Sequence, residues 1–324
     1  MTRLVLVVVL AGIVAHAVAD EKLAALRAQV ALAERKLAET KALANAEFDA
    51  WSDKLPEGPN TLEPDGAMDV FSFDTVANDQ TPNSANGGKP ASLVGNPTIV
   101  DGHSGKALLL DGGNGARLAD SGRVTRADSL TFALWLWITH EAESAVILHH
   151  GNLGSRLLLE KGRVLFVVDD SVKVIAKTPL PTQRWIHIAV SSDGSGRVAG
   201  MRIFVDGTLQ PTELTPEKPI MPNAGAELLI GSDGLKGGKI DDVRIFPREL
   251  AAVEVAALAG RDDFTKALQS IPELTPAQRA LLLEYYIATS HDDSRRAREQ
   301  CKAARDAERS YRIQFIQRAR GNPK

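Results

Sequence analysis

The hydrophobic period of this chain changes twice. Residues 21 to 52 contain no Gly or Pro, and Leu23, Leu26, Val30, Ala33, Leu37, Thr40 and Ala44 recur at 3-4 spacing. That stripe predicts one long helix with several small side chains in its seam. "KLPEGPNTLEPDG" then breaks the helix with three prolines and two glycines. From residue 67 to residue 260 the period falls to two, in short runs such as "DVFSFDT", "KALLLDG", "SLTFALWLWI", "AVILHH", "RWIHIAVSS", "MRIFVDG" and "KIDDVRIF". Gly, Asp, Asn or Pro clusters separate most of them, which predicts an all-β sandwich. Asp206-Gly207 and Asp193-Gly194 read as hairpin-type turns.

After Pro247 the helical period returns. "FPRELAAVEVAALAG" runs to Gly260. Thr275, Pro276 and Gln278 spell a capping box. Ser290 is the expected cap of a last long helix with Asp292 and Asp293 in its first turn. Ala297, Cys301, Ala304, Tyr311 and Phe315 line its seam. At 1.5 Å per residue, the helices over 21 to 52 and 291 to 319 measure about 48 and 43 Å. The near match predicts an antiparallel, coiled-coil-like pair held by apolar packing rather than charge, with possible self-association through the same helices.

The first nineteen residues read differently. Arg3 precedes an apolar run from Leu4 to Val14, and Ala17-Val18-Ala19 precedes Asp20. That pattern predicts a signal peptide cut after Ala19, hence export to the periplasm, cell surface or medium. The expected parts are 1–19 leader, 20–52 helix, 53–66 linker, 67–260 sandwich and 261–324 helical segment.

Composition narrows the function. A formal net charge of −3 shows no bias toward nucleic acid. One cysteine, Cys301, rules out an intrachain disulfide. No Gly-x-Ser-x-Gly, His-Glu-x-x-His or Gly-Lys-Ser/Thr motif is present. His149-His150 is the one histidine pair, and consecutive strand residues diverge, so a solvated strand end is expected there.

Five blocks in order, "GKALLLDG", "SLTFALWLWI", "RWIHIAVSSDG", "MRIFVDG" and "GGKIDDVRIFPREL", resemble laminin-G-like, or concanavalin-A-like, jelly-roll domains over residues 68 to 258. Phe204 stands where that family usually has Tyr. The helical flanks resemble those of large exported bacterial proteins of unknown function, of which this chain looks like a short relative or a fragment. The resemblance implies that first and last strands of the sandwich are neighbours. Jelly-roll glycosidases place paired carboxylates on one strand face, and no strand here does so: Glu160 is alone and Asp169-Asp170 would diverge. A non-catalytic protein is therefore expected.

Two functional classes stay open. One is a binding module for a carbohydrate or protein ligand; the other is a structural adaptor or spacer in a larger exported assembly. For the first, alternation puts Phe132, Leu134, Leu136 and Ile138 on one face, and Ala133, Trp135 and Trp137 on the other. Ile186, Ile188 and Val190 read as core, leaving Trp185 and His187 on the opposite face. Arg202 and Phe204 complete the expected ligand platform, which could instead be buried under covering loops. The family resemblance also implies a structural calcium between Asp241-Asp242 and the loop holding Asp74, Asn78 and Asp79. A solvated turn is the alternative. Ile240 and Val243 cannot share a face in a regular strand, so the strand proper is expected to begin at Asp242.

Overall fold

The computed structural model describes residues 2–55, 62–121, 128–140, 144–151, 154–168, 172–214, 227–271 and 273–321. Side chains are described between residues 21 and 315 of these, Ser232 excepted. The chain divides into two compact units, residues 50–288 and residues 1–49 with 289–324.

Residues 50–288 hold a sandwich of two antiparallel sheets. Among the described residues the first sheet has eight strands. Seven follow the order Thr208–Leu209, Met201–Val205, Trp185–Asp193, Ser129–Trp137, Lys236–Phe246, Lys106–Asp111 and Thr98–Asp101. The eighth, Asp69–Phe71, also pairs with Lys236–Phe246, opposing Val70 to Arg244. First and last strands are thus neighbours, as the resemblance implied. Among the described residues the facing sheet has nine strands, from Thr212–Leu214 at one edge to Gln80–Thr81 at the other.

Period-two alternation explains the core. Phe132, Leu134, Leu136 and Ile138 point between the sheets with Ile186, Ile188 and Val190, and Phe166 meets Phe132 from the other sheet. The opposite face of the eight-stranded sheet is divided. At one end Ala133, Ala189, Phe204 and Phe246 are covered by Leu250 and by Val255 of the helix Ala252–Leu258. The other end holds the tryptophans.

The strand Lys236–Phe246 runs straight through the aspartate pair, correcting the expected start at Asp242. A register shift falls between Asp241 and Arg244, and Asp242 takes φ +47°. This bulge lets Ile240 and Val243 both reach the core. It also splits one edge of the strand between two partners: Lys106–Asp111 before it and Asp69–Phe71 after it.

Other expectations shift as well. His150 is fully buried rather than solvated, close enough to Asp69 to feel its charge, and burial lowers its pKa. Asp206-Gly207 is a tight turn, with φ of +49° and +72°. Asp193-Gly194 instead opens a longer connection containing the turn Val198–Gly200. Asp169 and Asp170 lie outside the described residues. The capping box before the helix Pro276–Thr289 forms: the Thr275 N–H donates to Gln278 Oε1 at 2.9 Å, and the Gln278 N–H to Thr275 Oγ1 at 3.3 Å.

In the second unit, the helix Thr2–Ser52 contributes residues to 49 and the helix Asp292–Gly321 follows a cap. That cap is His291, not Ser290: the Ser294 N–H donates to His291 Nδ1 at 3.3 Å. Contacts pair rising numbers with falling ones. Lys22 lies over the Tyr311 ring, Arg27 faces Glu308, Arg305 donates to Glu34, Lys36 to Gln300, and His291 faces Glu47. The helices therefore run antiparallel, with Ala44, Ala297 and Cys301 buried. Charge accompanies the apolar seam more than expected, although exposed ion pairs contribute little each. The leader expected over residues 1–19 lies outside the described side chains. No helix among the described residues is long and apolar enough to cross a membrane.

Candidate binding platform

Strand register assembles the tryptophans. Trp185 stands opposite Trp137, and His187 opposite Trp135, on adjacent strands. The next strand brings Lys239 opposite Trp137 and Asp241 opposite Trp135. Trp137 and Trp185 meet edge to face at 6.0 Å. Lys239 Nζ sits 5.2 Å from the Trp137 ring centre, a cation–π contact. All three indoles are half-buried, leaving part of each ring open to solvent.

Sequence reading missed the fourth ring. His103 is exposed at the tip of the hairpin joining Thr98–Asp101 to Lys106–Asp111, and it stacks on Trp135. Two carboxylates hold that tip through its backbone. Asp241 Oδ2 accepts the N–H groups of His103 at 2.8 Å and Ser104 at 3.1 Å, and Oδ1 accepts that of Asp242 at 2.7 Å. Asp74 Oδ1 accepts the Lys106 N–H at 2.7 Å. Glycines permit the approach. A Cβ at Gly102 would collide with Asp241 Oδ2, and one at Gly105 with Asp74 Oδ1. "DGHSG" was legible as a turn, but nothing in it says which ring the histidine covers.

Burial drives the electrostatics. Asp241 is 0% exposed, and its carboxyl is pushed up to about 6; its amide hydrogen bonds oppose the shift and the Asp242 charge adds to it. Burial raises Asp242 too, against the pull of Arg244. His187 is 2% exposed and is pushed down to about 3, so it stays neutral. Its backbone is clamped by Asp206, whose Oδ1 accepts the His187 N–H at 3.0 Å.

Arg202 and Phe204 do not join the platform. Phe204 is fully buried under the helix Ala252–Leu258. Arg202 packs over its ring and binds Glu284, Glu249 and the Leu250 carbonyl. Alternation placed both on the correct face; the C-terminal segment covers that end of it.

The residues expected to hold calcium do not fit one donor set. Among the described residues, no three His, Cys, Asp or Glu side chains group as metal ligands. Asn78 and Asp79 form a tight turn, at φ +52° and +57°, closed by paired hydrogen bonds between Ala77 and Gln80. Asp241 is taken up by three amides. Asp74 and Asp242 alone fall well short of the six to eight oxygens that calcium takes.

Residues 110–256 match the family model of the concanavalin A-like lectin/glucanases superfamily. The matched stretch contains the three tryptophans and Asp241, and leaves out Asp74 and His103. No curated protein matches the chain in sequence. Among solved structures, domain 4 of AbnA, an extracellular arabinanase from Geobacillus stearothermophilus, is 22% identical with a TM-score of 0.48, over 60% of this chain and 98% of that one. The receptor-binding domain of botulinum neurotoxin type G is 16% identical with a TM-score of 0.46, over 60% of this chain. The binding domain of botulinum neurotoxin DC is 12% identical with a TM-score of 0.48, again over 60%. The chain spans about half, 51%, of each toxin domain.

Proposed function

We propose that the sandwich is a non-catalytic binding module whose ligand is a carbohydrate docking on Trp135, Trp137 and Trp185. One observation carries this reading: three partly open indoles stand side by side on adjacent strands, with His103 stacked on Trp135 and Lys239 over Trp137. Sugar rings present apolar C–H faces that pack on aromatic rings, while a nearby cation orients their oxygens. The acids nearest the platform support a role without catalysis. Asp241 and Asp242 are sequence neighbours at a bulge, and Asp241 is engaged by backbone amides, so the two do not form an acid and nucleophile flanking one bond.

Export of the mature chain from Asp20 is part of this proposal, resting on the leader pattern; intact mass of the exported protein checks it. The paired helices favour a second reading, in which they form a coiled-coil spacer within a larger assembly. A glycan array separates the two. Binding that Trp137→Ala abolishes supports the platform. Silence across glycans, with self-association through the helices, supports the spacer.

A further inference from the structure

Beside the platform lies a recess of about 30 Å³, lined by Ala133, Trp135, His187, Asp242, Arg244 and Leu258. It has room for one or two waters or a single hydroxyl-bearing arm, and none for a sugar ring. One of its polar groups lacks a partner. His187 is 2% exposed and its Nδ1 makes no hydrogen bond. A buried, unpaired ring nitrogen at the wall of the recess is unfavourable, and a polar group that reached it would relieve that cost.

The other polar groups define what can enter. The Asp242 carboxylate is half-buried and accepts no hydrogen bond from the described residues; it can only accept. Arg244 gives one nitrogen to Glu63 at 2.6 Å and can only donate with the rest. An anionic group in the recess would meet Asp242, and a cationic group would meet Arg244. A neutral hydroxyl suits both, because it donates to the carboxylate and accepts from the guanidinium. His187, held neutral, is the third polar side chain of the wall.

The geometry points to a hydroxyl subsite: His187, Asp242 and Arg244 take one or two hydroxyls of a neutral sugar docked on the platform beside Trp135. This deepens the platform reading and rests on it. It selects neutral, polyhydroxylated ligands over uronic or sialic acids at this position.

The test uses the full ¹⁵N-labelled chain and methyl glycosides of glucose, galactose, mannose and xylose at millimolar concentration. Indole Nε1–H signals report the platform, and His187 ring nitrogen signals report the recess. The expected result is that the glycoside shifting the indoles also shifts His187. Asp242→Asn should weaken it about tenfold, the loss expected for one charged hydrogen bond. Asn tolerates the φ of +47° at that position, so this variant keeps the bulge. Removing one ligand hydroxyl should weaken binding to the wild type and hardly affect Asp242→Asn. Indole shifts with a silent His187 and an unaffected Asp242→Asn would overturn the subsite and leave the platform standing. No indole shift with any glycoside would overturn both.

Discussion

His103 lies flat on Trp135, with ring centres 3.5 Å apart and planes 9° apart. The stack depends on the buried Asp241 carboxylate, which binds the backbone under the histidine and leaves its ring free. Replacing His103 with Ala should bare one face of Trp135. Acrylamide quenching of tryptophan fluorescence should rise, and stability should fall by about 1 kcal/mol, the scale of one aromatic pair. Unchanged quenching would mean that the ring does not shield the indole.

The Asp241 carboxyl gives a pH signature. At about 6 in the folded chain against an ordinary 3.8, it keeps its proton where the unfolded chain has released one. Stability from this group is therefore greatest below about pH 4, falls as pH rises toward about 6, and is flat above that. Asp241→Asn should remove the dependence and orphan at least one amide donor, costing about 1–3 kcal/mol. The melting-temperature gap between wild type and variant should narrow from about pH 4 to 6. A constant gap would show that the carboxyl is not shifted.

Gly105 combines two constraints. Its φ is +59°, and any Cβ would strike Asp74 Oδ1. Gly105→Ala should destabilise by about 2 kcal/mol from backbone strain and the displaced carboxylate together. Urea unfolding measures this; a neutral result would mean that the hairpin tip is held elsewhere.

Calcium and a chelator should leave the melting temperature unchanged. The five candidate residues are spread over a closed turn, an amide-saturated carboxylate and two remaining acids. A rise of several degrees with added calcium would restore the metal, because a ligand bound at a hundred times its Kd stabilises by roughly 2.7 kcal/mol.

The antiparallel helices give a distance. Spin labels at Leu26 and Phe315 should lie well within about 30 Å, given that Lys22 sits over Tyr311, 4.9 Å from its ring centre. A longer distance would break the pairing described for residues 21–49 and 291–315.

Local chemistry settled much of this protein before any folding. Alternation in "TFALWLWI" and "RWIHIAV" assigned Trp135, Trp137, Trp185 and His187 to one face, because a strand's side chains can only alternate. Thr275 and Gln278 closed their capping box because both partners lie within one turn. Tertiary structure decided what each face meets. Phe204 and Trp135 share a face, yet a helix formed after residue 251 buries the first and leaves the second partly open. The role of Asp241 was equally hidden. Two adjacent carboxylates look like metal ligands by residue type, but Asp241 is bound by the backbone N–H groups of His103 and Ser104, in a hairpin far away in the chain, and backbone donors leave no mark in side-chain identity. Pairing of Ile240 with Leu108 on one side, and of Asp241 with Trp135 on the other, then brings that hairpin, and His103, onto Trp135. Such a placement depends on strand pairing across long sequence separations, which periodicity within a segment does not encode.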